Sequence, residues 1–487
     1  VNTLQRLLKN TIAMSATNAL RLLVGLILTI YIARNLGPEF LGKYALLVTY
    51  INIFQILAEA GIPRLVTREV ARSPQQSGRY FWNSLVVQLA CSIVSSIAMV
   101  AVIELLGYPA DTKAMLYVAT GTLPAYAVLA AGAAILQAHE RMEVSTLAEI
   151  ISSVGQLVAT ILLLRAGYGA IGLAIIKVLG FALVACVNLL AVWRLRLVGR
   201  PQLDLRFGWS LLRHSSNILL MAIFGAVLLR LDVLIINQFW GEAATGIYNA
   251  AYQLVKGFVL LIWAYADAIY PLLSKLHRQP GGKMQLAVAT SLQYGTVLLL
   301  PLAVGGTLLA APIIRVIYRD PSFMAAVWPL RLLIWHLLPF FAHTILVRSL
   351  IASDRQDLAS RIEGAVVLVA ALFEVVLIYQ FGMIGAALAV NLTFVTAVAL
   401  SGRALVRIGG PLPIHWAQIR RAALAALGTG GVVWLLRNQP LWVSVSAGAL
   451  SFAALALLLG AISSADRRTF LDMMRVSVVQ PESGSDV

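Results

Sequence analysis

Four basic residues stand inside long apolar runs of this chain: Arg21, Lys177, Arg230 and Lys256. A cation at mid-helix in a bilayer costs roughly 2.5–3.5 kcal/mol by insertion scales, so each must face a cavity or a partner. Arg21 and Lys256 have no adjacent carboxylate on their own helical faces. Two such cations suit an anionic ligand group such as a phosphate; the alternative is a carboxylate reached across a bundle. For Lys177 and Arg230 structural pairing is favoured, with Asp232 the near neighbour of Arg230. Polar side chains recur beside these cations at helical spacing. Asn18, Arg21, Gly25 and Thr29 form one stripe, Asn52, Gln55 and Glu59 a second, and Tyr252, Lys256, Trp263 and Asp267 a third. The amides suit ligand binding, and Tyr252 and Trp263 offer rings on which a sugar can stack. Glu59 and Asp267 are candidates for a gate or for proton-binding carboxylates, although ion pairs with Arg64, Arg68, Arg141 or Arg355 are favoured for them and for Glu149 and Glu363. Glu374 lies deeper in its run and is the better lone proton-site candidate.

Other chemistries lack their residues. No glycine-rich phosphate loop ending in GK[ST] occurs, which argues against an ATP-driven pump within the chain. His139, His214, His277, His336, His343 and His415 are scattered, and His336 and His343 have no nearby Cys or carboxylate for a metal site. No cofactor is expected. Cys91 and Cys186 both sit in apolar runs and read as inert packing residues.

The elements that must carry these stripes are membrane helices. The chain has 487 residues, 60% hydrophobic and 12% charged, with mean hydropathy +0.86. Its apolar runs reach about 20 residues, enough to cross a hydrocarbon core. About fourteen spans are expected. No signal cleavage site is apparent, so the first helix, residues 10–33, is expected to be retained. The net charge of +16 follows loop position rather than one patch, which argues against nucleic acid. About 25 of the loop Lys and Arg fall on one side and about 8 on the other, placing both termini in the cytoplasm.

The chain also repeats itself. Residues 33–45, ARNLGPEFLGKYA, return as residues 240–250, WGEAATGIYNA, with Gly37, Gly42 and Tyr44 matching Gly241, Gly246 and Tyr248. Glu59 and Pro63 then match Asp267 and Pro271. Glu140, Arg141 and Glu149 match Asp354, Arg355 and Glu363, and Gly169 and Gly172 match Gly382 and Gly385. Each G-x4-G-x-Y segment reads as a glycine-broken turn between two helices. The expected fold is therefore an all-α integral membrane protein with two pseudo-symmetric six-helix lobes, residues 1–200 and 201–410. Two further helices over 411–465 and a cytoplasmic tail over 466–487 follow. An even number of helices per half puts the symmetry axis along the membrane normal, as in transporters built from parallel repeats.

Three segments carry a family resemblance: ARNLGPEFLGKY at 33–44, AEAGIPRLVTRE at 58–69, and the stretch from RLD to GIYNAAYQL at 230–254. The chain resembles the bacterial oligosaccharide flippases (O-antigen and exopolysaccharide, Wzx-type) of the MOP exporter superfamily, which also contains lipid II flippases and toxin-extrusion drug exporters. The resemblance implies the MOP flippase fold with a V-shaped central cavity. It implies as cargo an undecaprenyl-pyrophosphate-linked glycan, moved by alternating access to the outer leaflet of the bacterial inner membrane. It further implies contact with membrane lipids and partnership with polysaccharide polymerase and chain-length proteins. The last two helices would form a groove for the lipid tail. In the relatives, basic residues on the first and eighth helices line the cavity, the helices that carry Arg21 and Lys256 here. The second helix departs by having Asn52, Gln55 and Glu59 but no internal Arg, which weakens a lipid II reading. A drug exporter should show an acidic cavity, and a non-transporting scaffold of a glycan-assembly complex would need no cavity charge.

Overall fold

In the computed structural model the described residues are 3–279 and 281–461; the side chains of residues 3–19 and of 217, 218, 221, 224 and 226–229 fall outside the description. The expected tail over 466–487 lies outside it as well. The described chain is all-helical: α1 (Thr3–Glu59), α2 (Ile62–Arg72), α3 (Ser77–Leu106), α4 (Ala110–Thr120), α5 (Thr122–Ala138), α6 (Met142–Arg165), α7 (Gly169–Arg194), α8 (Leu205–His277), α9 (Lys283–Tyr318), α10 (Val327–Trp335), α11 (Leu337–Ala352), α12 (Gln356–Gly409), α13 (Trp416–Leu435) and α14 (Leu441–Leu458). Among the described residues ten stretches are long and apolar enough to cross a membrane. Three of these are broken once each, at Gly37, Gly241 and Gly382, which makes thirteen candidate crossings among the described residues. The fourteen-span count is thus met only in part. Helix α13, expected as a span, falls outside the set because Gln418, Arg420, Arg421 and three glycines dilute its apolar character.

The helices are built for lipid. Helix α3 buries Ser84, Gln88, Ser92 and Ser95 while exposing Ile93, Val94, Ile97 and Leu105. Polar groups inward and apolar groups outward is the pattern a hydrocarbon solvent imposes. This is a multi-pass membrane protein. Helix α2 is the exception. It buries Ile62, Leu65, Val66 and Val70 against α3, α5 and Val192 of α7 and exposes Arg64, Arg68 and Arg72.

The repeated glycines share a conformation. Gly37 has φ 78° and ψ −175°, and Gly241 has φ 79° and ψ −177°, a region that a side-chain-bearing residue enters only at a cost of about 1–3 kcal/mol. The later landmarks behave alike: Glu140 and Asp354 have φ 56° and 57°, and Gly169 and Gly382 have φ 58° and 57°. Arg141 N–H donates to the Leu136 carbonyl at 2.8 Å, as Arg355 N–H does to Leu350 at 3.0 Å. The sequence repeat is therefore a repeat of backbone geometry.

The chain separates into two compact units. One comprises Val1–Gly257, Ile317–Ala326 and Glu363–Ala389; the other comprises Phe258–Val316, Val327–Ile362 and Val390 onward. Within the first, α5 packs on α3 and α7, α6 on α7, and α1 on α3, α5 and α6. The connection after α7 is stapled to α3: Asn83 binds the Gln202 carbonyl and the Asp204 N–H, each at 2.7 Å. The Phe207 N–H and the Arg79 guanidinium hold the Asp204 carboxyl below the usual range. Within the second, Ala422, Ala425, Ala456 and Ala461 bring α13 and α14 together beside Val297, small residues permitting close approach.

The two broken turns meet inside the first unit. The position a Cβ would take on Gly42 is filled by the backbone of Glu242, and that on Gly246 by the backbone of Pro38. Each copy's second glycine thus seats the residue that follows the other copy's first glycine. Beside this contact Lys43, 8% exposed, reaches Asp111 at 2.5 Å, Glu39 at 3.0 Å and Glu242 at 3.4 Å. Thr112 donates to the other oxygen of Glu242. Lys43→Met should leave Glu242, the least exposed carboxylate of the three, without its cation at a cost of about 1–3 kcal/mol, read as a lower melting temperature of the purified protein. Adding Glu242→Gln should recover part of the loss. An unchanged melting temperature in Lys43→Met would show the cluster to be energetically idle.

Candidate functional site: a cationic cavity

A cavity of about 530 Å³ opens in the first unit between α1, α5, α6, α7 and α8. Helical spacing brings its lining together. Arg21, Gly25 and Thr29 come from α1 before its break, and Asn52, Gln55 and Glu59 from α1 after it. Glu149, Ser152, Ser153, Gln156 and Thr160 lie along one face of α6, Lys177 on α7, and Arg230, Asn249, Gln253 and Lys256 on α8. All four cations within the apolar runs therefore reach one space.

Their surroundings differ. Arg21 Nη2 pairs with Glu149 Oε2 at 2.5 Å, so the reading of Arg21 as free of carboxylates holds only along its own helix. Arg230 lies over the Tyr252 ring at 5.3 Å from its centroid. Its expected pairing with Asp232 is absent among the described residues: that carboxylate instead accepts the Tyr248 hydroxyl at 2.6 Å and the Val233 N–H at 2.7 Å. Lys177, expected to be paired structurally, has neither hydrogen bond nor ion pair among the described residues, and the same holds for Lys256. The reason is composition: the lining holds four cations but only two carboxylates, Glu59 and Glu149. The cations feel one another, Lys177 sensing Arg21 and Lys256 sensing both Arg230 and Lys177.

The structure brings together Arg21, Asn52, Gln55, Glu59 and Lys256 from the expected site. The Asn18 side chain lies outside the described residues. Tyr252 is off the wall. Asn249, Gln253 and Lys256 make the lining face of α8, and Tyr252 lies about 40° round the helix from Lys256, at the edge of that face. There it stacks on Tyr248 at 6.4 Å. Trp263 belongs to the second unit and packs on Phe340 at 6.2 Å. Tyr252, Lys256, Trp263 and Asp267 do share one face of the helix by spacing, and of the four only Lys256 lines the cavity.

Glu59 lies within electrostatic reach of Arg64, one of its expected partners. It accepts the Tyr126 hydroxyl at 3.1 Å. Asp267 binds Arg348 at 2.6 Å in the second unit, while Arg68 pairs with Glu69 and Arg141 with Glu143. Glu374 is 2% exposed, and its Oε2 has no hydrogen-bond partner among the described residues. It lies within electrostatic reach of Asp232 and Tyr248. Sequence reasoning missed Gln156, Asn249 and Gln253 as lining residues. The i, i+4, i+7 spacing of Asn249, Gln253 and Lys256 was the available signal.

Chemically, the cavity can hold a multiply charged anion beside groups rich in hydroxyls. The cations supply the first part, and the amides of Asn52, Gln55, Gln156, Asn249 and Gln253 donate and accept for the second. Among described residues no group of three or more His, Cys, Asp or Glu is placed to hold a metal ion.

Solved structures share the fold. The lipid II flippase MurJ, in an inward closed conformation, superposes with TM-score 0.72 at 16% identity, covering 92% of this chain and 98% of that one. An inward-facing multidrug resistance MATE transporter of the MOP superfamily superposes with TM-score 0.65 at 14% identity, covering 80% and 95%. In sequence, the probable low-salt glycan biosynthesis flippase Agl15 of Haloferax volcanii is 23% identical over 439 residues, 88% of this chain and 91% of the relative. The profile of the polysaccharide biosynthesis proteins matches residues 7–277, from α1 to the end of α8, including every helix that lines the cavity. With more than half its length matched by that profile, the chain belongs to the polysaccharide biosynthesis protein family.

Proposed function

We propose that this protein is a flippase that carries a polyprenyl-pyrophosphate-linked oligosaccharide from the cytoplasmic to the outer leaflet by alternating access. The observation that carries the reading is the cavity with four cations, two carboxylates and a set of amides. A pyrophosphate brings about two negative charges and must be shielded where unpaired charge is expensive. Lys177 and Lys256 are free to receive it, and the amides suit the hydroxyls of a glycan. The glycan-biosynthesis flippase of Haloferax volcanii supports the same cargo class. On this reading both termini are cytoplasmic, and lobes over 1–200 and 201–410 rock against each other. Glu59, Asp267 and Glu374 are the carboxylates available for gating or ion coupling. Polymerase and chain-length proteins receive the product.

A second reading keeps the mechanism and changes the head group. The fold match to a lipid II flippase over 92% of the chain favours a peptidoglycan precursor, also a polyprenyl-pyrophosphate glycan. A drug exporter of organic cations is disfavoured by the basic lining. The test is reconstitution of the full chain in liposomes loaded with fluorescent undecaprenyl-pyrophosphate oligosaccharide or with lipid II. Faster leaflet exchange of the first supports the main reading, and selective exchange of lipid II supports the second. Movement of neither, with export of a cationic dye, overturns both.

A further inference from the structure

We propose that Glu149 is a resident counter-ion that occupies Arg21 until the cargo phosphate displaces it. The inference rests on the pyrophosphate reading above. Its geometry is specific. The bridge spans 2.5 Å, yet the Arg21 side chain is 49% exposed and that of Glu149 23%, and both line the cavity. The pair therefore faces the space the ligand enters rather than the helix packing. A carboxylate and a phosphate offer a guanidinium the same two-oxygen edge, so one can replace the other on Arg21 without moving it. Glu59, the other carboxylate of the lining, is held by a neutral hydroxyl instead, which leaves Glu149 alone in pairing with a cavity cation among the described residues.

Such a group has a use in a transporter. Arg21 acts electrostatically on Lys177, and Lys177 on Lys256, so an uncompensated cluster would hold a dianion too tightly to release it. Glu149 lowers the net positive charge when the cavity is empty and competes for Arg21 when cargo must leave. It is a positioning residue with an electrostatic role.

The test titrates the purified full-length protein with inorganic pyrophosphate at low salt by calorimetry and measures flipping in liposomes. Glu149→Gln, nearly isosteric, should bind pyrophosphate about tenfold tighter and flip lipid-linked glycan more slowly. Glu149→Asp, which keeps the charge one methylene further back, should fall between it and the parent. In Arg21→Ala the further change Glu149→Gln should no longer tighten binding by the same factor. If the parent binds pyrophosphate but Glu149→Gln binds it no tighter, or binds it more weakly with a lower melting temperature, the bridge is structural and the inference fails. If neither parent nor variants bind pyrophosphate, the underlying reading fails with it.

Discussion

Replacing Lys177 and Lys256 together by alanine is expected to abolish transport while leaving the protein folded. These are the two cavity cations with neither hydrogen bond, ion pair nor aromatic contact among the described residues, Arg230 having the Tyr252 ring. Removing them breaks no hydrogen bond or ion pair among the described residues and leaves no carboxylate stranded. What is lost is the charge available to an incoming anion. Truncating one partner of a buried charged contact costs roughly 2–5 kcal/mol, so the double variant should lose at least about a hundredfold in rate. Lys177→Arg with Lys256→Arg keeps both charges and should retain part of the activity, since the planar fork differs from the ammonium in shape and reach. Flipping in liposomes, normalised to protein recovered as a single monodisperse species, is the measurement. Parental rates in the alanine double variant would remove the cavity from the mechanism.

Gly42→Val and Gly246→Val should each prevent accumulation of folded protein. Both sites already hold the backbone of the other turn, Glu242 at Gly42 and Pro38 at Gly246, and a backbone cannot swing aside as a flexible side chain can. The expected cost exceeds that of Gly37→Ala, where no atom lies near the position of a Cβ and only the left-handed φ of 78° opposes the change. That strain is about 1–3 kcal/mol. Detergent extraction followed by size-exclusion chromatography should give a monodisperse, less stable Gly37→Ala and little or no folded Gly42→Val. Equal yields for the two would mean that the turns do not depend on each other's surface.

The sequence alone determined the class, the repeat and the places where the helices break. Apolar run length is a one-dimensional property, and so is the need for glycine at positive φ. Gly37 with Gly241, and Gly169 with Gly382, were therefore legible as equivalent, as was the Glu140 and Asp354 turn. Arg21, Gly25 and Thr29 of one α1 stripe and Asn52, Gln55 and Glu59 of the other also line the cavity, because a helix carries its periodicity with it. Partnership was a different matter. Glu149 for Arg21, Tyr126 for Glu59, Asp111 and Glu242 for Lys43, and Tyr248 rather than Arg230 for Asp232 are choices among helices. So is the seating of Gly42 on one turn and Gly246 on the other. Charge pairs act over a few ångströms, and which side chains come that close depends on the rotation and crossing of whole helices. A sequence pattern carries the face of each helix but not the helix it will face. Only the tertiary structure turned four scattered cations into one site, and only it left Lys177 and Lys256 free there.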